Sequence, residues 1–287
     1  MTIFANTQGL DYELIDSGEG RKLERFGPYL LDRPEVEAQG AKKLSGPWAE
    51  AHYTFEQKSA SDGVWHYDQA LPNSWLIEYH WASKVIKFQL QLSKFKHIGL
   101  FPEQVENWKF IQHHLLKNKS SRILNLFAYT SAASIVASES GAEVTNVEAL
   151  KQLSHWAKQN ADLNGIDNVR WLVEDARAYV KRALRREERF HGIILDPPAF
   201  GHGSKGKRWI LEKHLENLIK DVSNLLVDGT SFVIINTYSP KMPLESLKDI
   251  LERSFSGKYK LSIDDLSLKA QSGNTFKTGV LARIFKP

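Results

Sequence analysis

The 287-residue chain contains no cysteine. That excludes disulfides, zinc–thiolate sites, iron–sulfur clusters and a thiolate nucleophile. No apolar run approaches the ~20 residues that cross a bilayer. The opening Met1-Thr2-Ile3-Phe4-Ala5-Asn6 lacks the basic-then-apolar layout of a secretion signal. We therefore expect a cytoplasmic protein with no membrane partner. There is no internal repeat and no low-complexity stretch.

What is present is an ordinary folded composition, 42% hydrophobic and 25% charged. The length accommodates one large domain or two modest ones. Charge is unevenly spread. Residues 1–100 hold 11 Lys+Arg against 13 Asp+Glu, whereas residues 101–287 hold 27 against 21. The excess gathers in Lys181, Arg182, Arg185, Arg186 and Arg189, and again in Lys205, Lys207, Arg208 and Lys213. A solvated helix face and a phosphate-binding patch both fit such clusters.

Residues 1–98 read as a small, mostly-β domain, with segments rich in aromatic and β-branched residues at 48–55, 64–67, 75–79 and 84–93. Core packing accounts for its four tryptophans, Trp48, Trp65, Trp75 and Trp81, which are not interleaved with basic residues as a base-stacking platform would be. The pattern changes at Gly99. Residues 102–117 read as an amphipathic helix. After it, short apolar strands at 122–127, 142–147, 169–173, 192–195 and 231–235 alternate with helical periods near 131–140, 150–164, 175–188, 209–226 and 243–255. That alternation predicts a parallel sheet covered on both faces. Strands at 260–266 and 278–285, split by Ser272-Gly273-Asn274, add an antiparallel pair. Residues 99–287 are thus a Rossmann-like α/β domain, with a seven-stranded mixed sheet whose last strand is antiparallel.

Ligands of such sheets bind at the carboxyl ends of the strands. The first strand ends in Phe127-Ala128-Tyr129-Thr130-Ser131-Ala132 and enters a helix, a small-residue turn whose helix N-terminus favours an anionic group. This turn lacks the G-x-G-x-x-G that brings a backbone against a dinucleotide pyrophosphate, which counts against NAD(P) and FAD. The second strand ends at Glu148-Ala149, where a carboxylate can take both hydroxyls of a ribose. The third ends at Asp175-Ala176; Asp175 can cap the next helix, accept from an adenine amino group, or do both. The fourth ends in Asp196-Pro197-Pro198-Ala199-Phe200, where the prolines stop the ladder and leave carbonyls without internal donors. A carboxylate, free carbonyls and an aromatic ring suit a planar group bearing an N–H. Gly201-His202-Gly203-Ser204-Lys205-Gly206-Lys207-Arg208 then reads as a mobile basic loop over the cleft.

At these residues the chain resembles the class I S-adenosylmethionine-dependent methyltransferases, and within them the bacterial family related to the large-subunit ribosomal RNA methyltransferases. The matching segments are Gly99-Leu100-Phe101-Pro102-Glu103-Gln104, the turn from Leu124 to Thr130, Glu148, Glu174-Asp175-Ala176, Asp196 to Gly201, and Asn236-Thr237-Tyr238-Ser239, with Glu24 to Tyr29 and Arg33-Pro34-Glu35 near the start. The resemblance implies that Phe127, Ala128, Tyr129, Thr130, Ser131 and Ala132 hold the methionine part of S-adenosylmethionine. It further implies that Glu148 and Ala149 bind the ribose, and Asp175 and Ala176 the adenine. Leu100, Phe101 and Gln104 would line the cofactor pocket. Asp196, Pro197 and Phe200 would border the methyl group and its acceptor. Lys205, Lys207, Arg208 and Tyr238 are candidate RNA contacts, and no metal is implied. Two features depart from the family. Ser131 and Ala132 stand where glycine is frequent, and an additional N-terminal RNA-binding domain carried by some relatives has no counterpart here.

The missing cysteine bears on the acceptor. Methylation at carbon 5 of a pyrimidine ordinarily uses a transient thiolate adduct, so a ring nitrogen or exocyclic amine of an RNA base, most of all in ribosomal RNA, is the expected target. Two other readings remain at this stage. One is a cofactor-binding protein without catalysis; the other is a methyltransferase acting on a protein or small molecule.

Overall fold

The computed structural model describes residues 2–59, 62–116, 121–202, 208–255, 257 and 259–286. The chain divides into two compact units. One comprises residues 107–265 and 279–287; the other comprises 2–106 together with 266–278.

The second unit is β-rich, as expected. It holds β1 (Thr2–Phe4), β2 (Tyr12–Gly18), β3 (Arg21–Phe26), β4 (Tyr29–Pro34), a one-turn helix α1 (Gly46–Ala49), β5 (Tyr53–Ser59), β6 (Asp62–Tyr67), β7 (Ser74–Trp81) and β8 (Lys84–Gln91). Strands β2 to β6 form one sheet in sequence order, and β7–β8 form a hairpin. Residues 48–55, expected as strand, differ: Pro47 in the first turn presets helical φ, so Trp48 lies in α1 and β5 starts only at Tyr53. Trp75 is buried, stacked at 5.3 Å on Tyr53 and edge-on to Tyr29 at 5.2 Å, which is the core-packing role expected of it. Asp16 is fully buried and ties distant segments together. Its carboxylate accepts from the amides of Ser17, Lys43 and Leu44 and from the Trp48 indole, at 2.9–3.0 Å. Glu24, also buried, accepts from Tyr12 Oη and from Nε and Nη2 of Arg33.

In the first unit, α2 (Val105–Leu115) is followed by β9 (Arg122–Leu126), α3 (Ala132–Glu139), β10 (Glu143–Glu148), α4 (Lys151–Leu163), β11 (Val169–Val173), α5 (Ala176–Arg185), β12 (Gly192–Leu195), β13 (Phe200–His202), β14 (Arg208–Ile210), α6 (Leu211–Ser223), β15 (Ser231–Thr237), α7 (Leu244–Ser254), β16 (Lys260–Lys269) and β17 (Thr275–Lys286). The sheet order is β11-β10-β9-β12-β15-β17-β16, with β1 added outside β16 as an eighth strand. Pairing is parallel from β11 to β15, and β17 runs antiparallel to β15. The tip of the β16–β17 hairpin, residues 266–278, groups with the second unit.

Register decides where the site falls. Leu126, Val147, Leu172, Leu195 and Ile235 lie level across the sheet, so the residues after each emerge at one edge. Strand β9 has β10 on one side and β12 on the other. The strand order therefore reverses at β9, which is where open α/β sheets hold ligands. The strands are near-continuous apolar runs because helices cover both faces: every residue of β12 and β15 is buried.

Candidate active site

The turn after β9 is held in an uncommon conformation. Phe127, Tyr129 and Ser131 take positive φ (57°, 54° and 68°) at alternate positions. A left-handed residue other than glycine costs on the order of 1–2 kcal/mol, so the fold must pin this turn from outside. The Ala128 amide donates to Val147 O at 3.2 Å, Ser131 N to Ala128 O at 2.8 Å, and Asn160 Nδ2 to Thr130 O at 3.2 Å. Tyr129 N donates to Glu148 Oε2 at 2.9 Å. Ser131, standing where relatives favour glycine, supplies the left-handed geometry itself. It is the N-cap of α3 but makes no side-chain cap bond, and its Oγ is buried without a hydrogen-bond partner among the described residues.

Glu148 ends β10 with its carboxylate nearly buried. Each oxygen takes one amide, Oε2 from Tyr129 and Oε1 from Leu150, both at 2.9 Å. Burial raises its pKa above the ordinary glutamate value, against the opposing pull of those amides. A carboxylate offers about four lone-pair positions, so each oxygen retains acceptor capacity. Ala149 follows, half-buried.

Asp175 caps α5, accepting from Arg177 N at 3.0 Å and Ala178 N at 3.2 Å. The Arg177 guanidinium also reaches it, Nε to Oδ1 at 3.3 Å and Nη2 to Oδ2 at 3.1 Å. Burial would raise this carboxyl, but Arg177 and the capping amides prevail and hold it below the ordinary aspartate value. Ala176 is buried as the first residue of the helix.

Asp196 leaves β12 half-buried, and Pro197 is buried. The Asp-Pro-Pro turn differs from expectation in one respect. The carbonyls freed by the prolines were expected to lack internal donors, yet Trp209 Nε1 donates to Pro198 O at 2.6 Å and Leu211 N to Ala199 O at 3.0 Å. Two carbonyls of the turn are thus already engaged. Phe200 is 72% exposed, its ring open to solvent.

The segment expected to be a mobile loop begins and ends as a ribbon, β13 pairing antiparallel with β14 through Phe200↔Ile210, Gly201↔Trp209 and His202↔Arg208. Its glycines hid the strands. Lys205 and Lys207 lie outside the described residues; Arg208 is exposed. Tyr238, after β15, is half-buried, and Ser239 Oγ donates to Glu212 Oε1 at 3.0 Å. Leu100, Phe101 and Gln104 belong to the other unit, on the segment that leads into α2. Leu100 is buried and the other two are half-buried.

Sequence reasoning missed Trp209 and Arg177. Trp209 is buried, its ring centroid 4.8 Å from that of Phe127. Arg177 lies over the Trp209 ring at 5.7 Å while holding Asp175. The available signal was a lone tryptophan between a Gly/Lys run and an amphipathic helix, a place where a large ring folds back onto a core.

The sequence model of the S-adenosylmethionine-dependent methyltransferases matches residues 52–251, more than half of the chain. The chain belongs to this family. A structure of an S-adenosylmethionine-dependent methyltransferase from Agrobacterium tumefaciens is 29% identical, with a TM-score of 0.88 over 99% of this chain and 92% of that one. Among curated proteins, a "Ribosomal RNA large subunit methyltransferase K/L" of Cellvibrio japonicus is 28% identical over 263 residues, 84% of this chain and 32% of the relative. The chain thus spans about a third of that relative's length. A methyltransferase solved in complex with SAH shares the fold, at 21% identity and a TM-score of 0.71 over 96% of this chain and 76% of that one. The donor set fits the cofactor: a buried carboxylate with spare acceptor positions and an orphaned hydroxyl at a helix N-terminus stand at one sheet edge. Among the described residues, no helix is long and apolar enough to cross a membrane.

Proposed function

We propose that the enzyme methylates a nitrogen of an RNA base, with ribosomal RNA in the cytoplasm as substrate. The observation that carries this reading is the turn Asp196-Pro197-Pro198-Ala199-Phe200, with a carboxylate at one end and a 72%-exposed ring at the other, at the edge where the strand order reverses. When bound, S-adenosylmethionine supplies an electrophilic methyl group on a sulfonium. The rest falls to the chain.

Glu148 accepts the ribose hydroxyls with its remaining lone pairs. Asp175 keeps an acceptor position on Oδ2 for the adenine amino group. The α3 N-terminus and the Ser131 hydroxyl receive the methionine carboxylate, within the turn from Phe127 to Ala132. On the acceptor side, Phe200 stacks on the base, a contact worth ~1–3 kcal/mol. Asp196 and the Pro197 carbonyl accept the N–H bonds of the target nitrogen, aim its lone pair and stabilise the positive charge that develops there. Orientation of this kind can lower a barrier by about 7–11 kcal/mol. A paired target must first be flipped out of its helix. Lys205, Lys207, Arg208 and Tyr238 contact the RNA around it. The absence of any cysteine in the chain favours nitrogen over carbon 5 of a pyrimidine, and the similarity to a large-subunit ribosomal RNA methyltransferase supports RNA.

Asp196→Ala tests the assignment. Methyl transfer should fall by roughly 10²-fold or more, as when a group that stabilises transition-state charge is removed, while calorimetric affinity for the cofactor stays within a few-fold. Unchanged turnover contradicts it.

A further inference from the structure

The basic residues at the C-terminal end of α5 lie away from the catalytic edge. Asp175 caps the helix at the carboxyl ends of the strands, and the 10 residues of α5 then run back about 15 Å. The C-terminal end of α5 therefore lies at the opposite end of the sheet. There Arg185, Arg186 and Arg189 are exposed and make no ion pair among the described residues. The amino ends of two strands add further cations. Arg122 opens β9 and Arg170 lies near the start of β11. Glu188, mostly buried, faces both guanidiniums at 3.9 and 3.6 Å and accepts from Tyr179 Oη at 3.0 Å. One sunken carboxylate thus steadies two arginines beside three unpaired ones. Arg182, which shares the sequence cluster, is turned away to Glu174.

The helix dipole favours cations in the last turn of α5, which accounts for Arg182 and Arg185. It does not account for Arg189, beyond the helix, or for arginines contributed by two strands. The cations named here are guanidiniums, whose planar forks match phosphate oxygens better than ammonium groups do.

We propose that this end of the sheet, centred on Arg185, Arg186 and Arg189, is a second RNA contact that grips the phosphate backbone remote from the methylated base. The proposal rests on the RNA reading given above. It makes the substrate a folded or extended RNA long enough to reach from one end of the sheet to the other, rather than a nucleotide. The contact is to the backbone and so is blind to sequence.

The test measures binding of the full chain to a labelled RNA hairpin of arbitrary sequence over a series of salt concentrations, with methyl transfer to ribosomal RNA measured in parallel. The variant R185Q/R186Q/R189Q should weaken binding at low salt by more than tenfold. It should also reduce the slope of log K against log salt by about 2, since each lost phosphate contact removes roughly 0.7–0.9. Its KM for RNA should rise while kcat and cofactor affinity stay unchanged. R185K/R186K/R189K, which keeps the charge, should recover most of the slope. K158Q/K220Q/K248Q removes the same charge from exposed positions elsewhere and should change the slope by less than about 1. Equal slopes for the two glutamine triples overturn the proposal. If the wild type methylates RNA and the arginine triple does so with the same KM, this surface fails and the RNA reading stands. If the wild type neither binds nor methylates RNA, both fail.

Discussion

Trp209 donates its indole N–H to the carbonyl of Pro198 at 2.6 Å while its ring packs 4.8 Å from that of Phe127. One buried side chain thereby joins the turn after β12 to the turn after β9. The two turns proposed to meet acceptor and cofactor are braced by a residue from the β13–β14 ribbon. Trp209→Phe keeps an aromatic ring beside Phe127 and removes the indole donor. We expect kcat to fall about tenfold, the value of one neutral hydrogen bond of ~1 kcal/mol plus the exposed carbonyl, with cofactor affinity unchanged. Trp209→Ala also empties a core position and should cost about 3–5 kcal/mol of stability in a denaturant titration. Wild-type kcat in the phenylalanine variant would show that the bond does not position the turn.

Glu148 gives a pH-dependent prediction. Its carboxyl is raised above the ordinary glutamate value of 4.5 by burial, so it takes up a proton at a higher pH than an exposed glutamate. Protonation removes acceptor capacity for the ribose. Affinity for S-adenosylhomocysteine, measured by calorimetry, should therefore begin to decline, as pH falls, at a higher pH than an exposed glutamate would give. Glu148→Gln should bind at least tenfold more weakly, with a flat pH profile over the same range. A wild-type profile as flat as that of the variant would remove Glu148 from the ribose site.

Ser131 carries a positive φ of 68° and a buried hydroxyl without a partner. Glycine adopts that conformation without penalty. Ser131→Gly should stabilise the protein by about 1 kcal/mol, a rise of roughly 2–4 °C in the thermal midpoint for a chain of this size. If the hydroxyl also serves the cofactor, the same variant binds it more weakly. A stabler protein with weaker binding is the expected combination, read from melting curves with and without ligand. Loss of stability on substitution would mean that the hydroxyl holds the turn.

The β-rich unit should be acid-sensitive through Asp16 and Glu24. Burial would raise both carboxyls, but the donors around Asp16 and the Arg33 and Lys22 charges around Glu24 hold them below their ordinary values of 3.8 and 4.5. A depressed pKa contributes stability above the ordinary value, and that contribution is lost as pH falls through the folded-state value. Stability should thus hold down to about pH 4.5 and decline steadily below it. Asp16→Asn, which sets an amide N–H donor against the N–H donors that Asp16 accepts from, should cost on the order of 1–3 kcal/mol at neutral pH and weaken the decline. Urea titrations at several pH values measure both.

The α/β unit was legible because its pattern is local. Buried strands such as Ile193-Ile194-Leu195 stand between amphipathic helices, and the acids at 148, 175 and 196 follow directly from where those strands stop. The β-rich unit was less legible because its interior is not purely apolar. Asp16, Glu24 and Arg33 are buried in β2, β3 and β4 and break the alternation that marks strands. Their partners come from other segments: Arg33 reaches Glu24 from the neighbouring strand, Trp48 reaches Asp16 from α1, and Asn274 reaches Asp16 from the far end of the chain. Trp209 and Arg177 escaped for a similar reason, since each matters through contacts formed only when β9, β12 and α5 are assembled. The α5 arginines were visible as a cluster, but their place at the end of the sheet opposite Asp196 emerges only from the topology.

The central claim is that the chain moves a methyl group from S-adenosylmethionine to a nitrogen of an RNA base. The most direct measurement uses labelled S-adenosylmethionine, the purified enzyme and ribosomal RNA from a strain lacking the protein, followed by nucleoside mass spectrometry. The account predicts one labelled nucleoside with the methyl on nitrogen, lost when Asp196 is replaced. A labelled carbon-5 methyl pyrimidine, or unlabelled RNA alongside a labelled protein or small molecule, would contradict it.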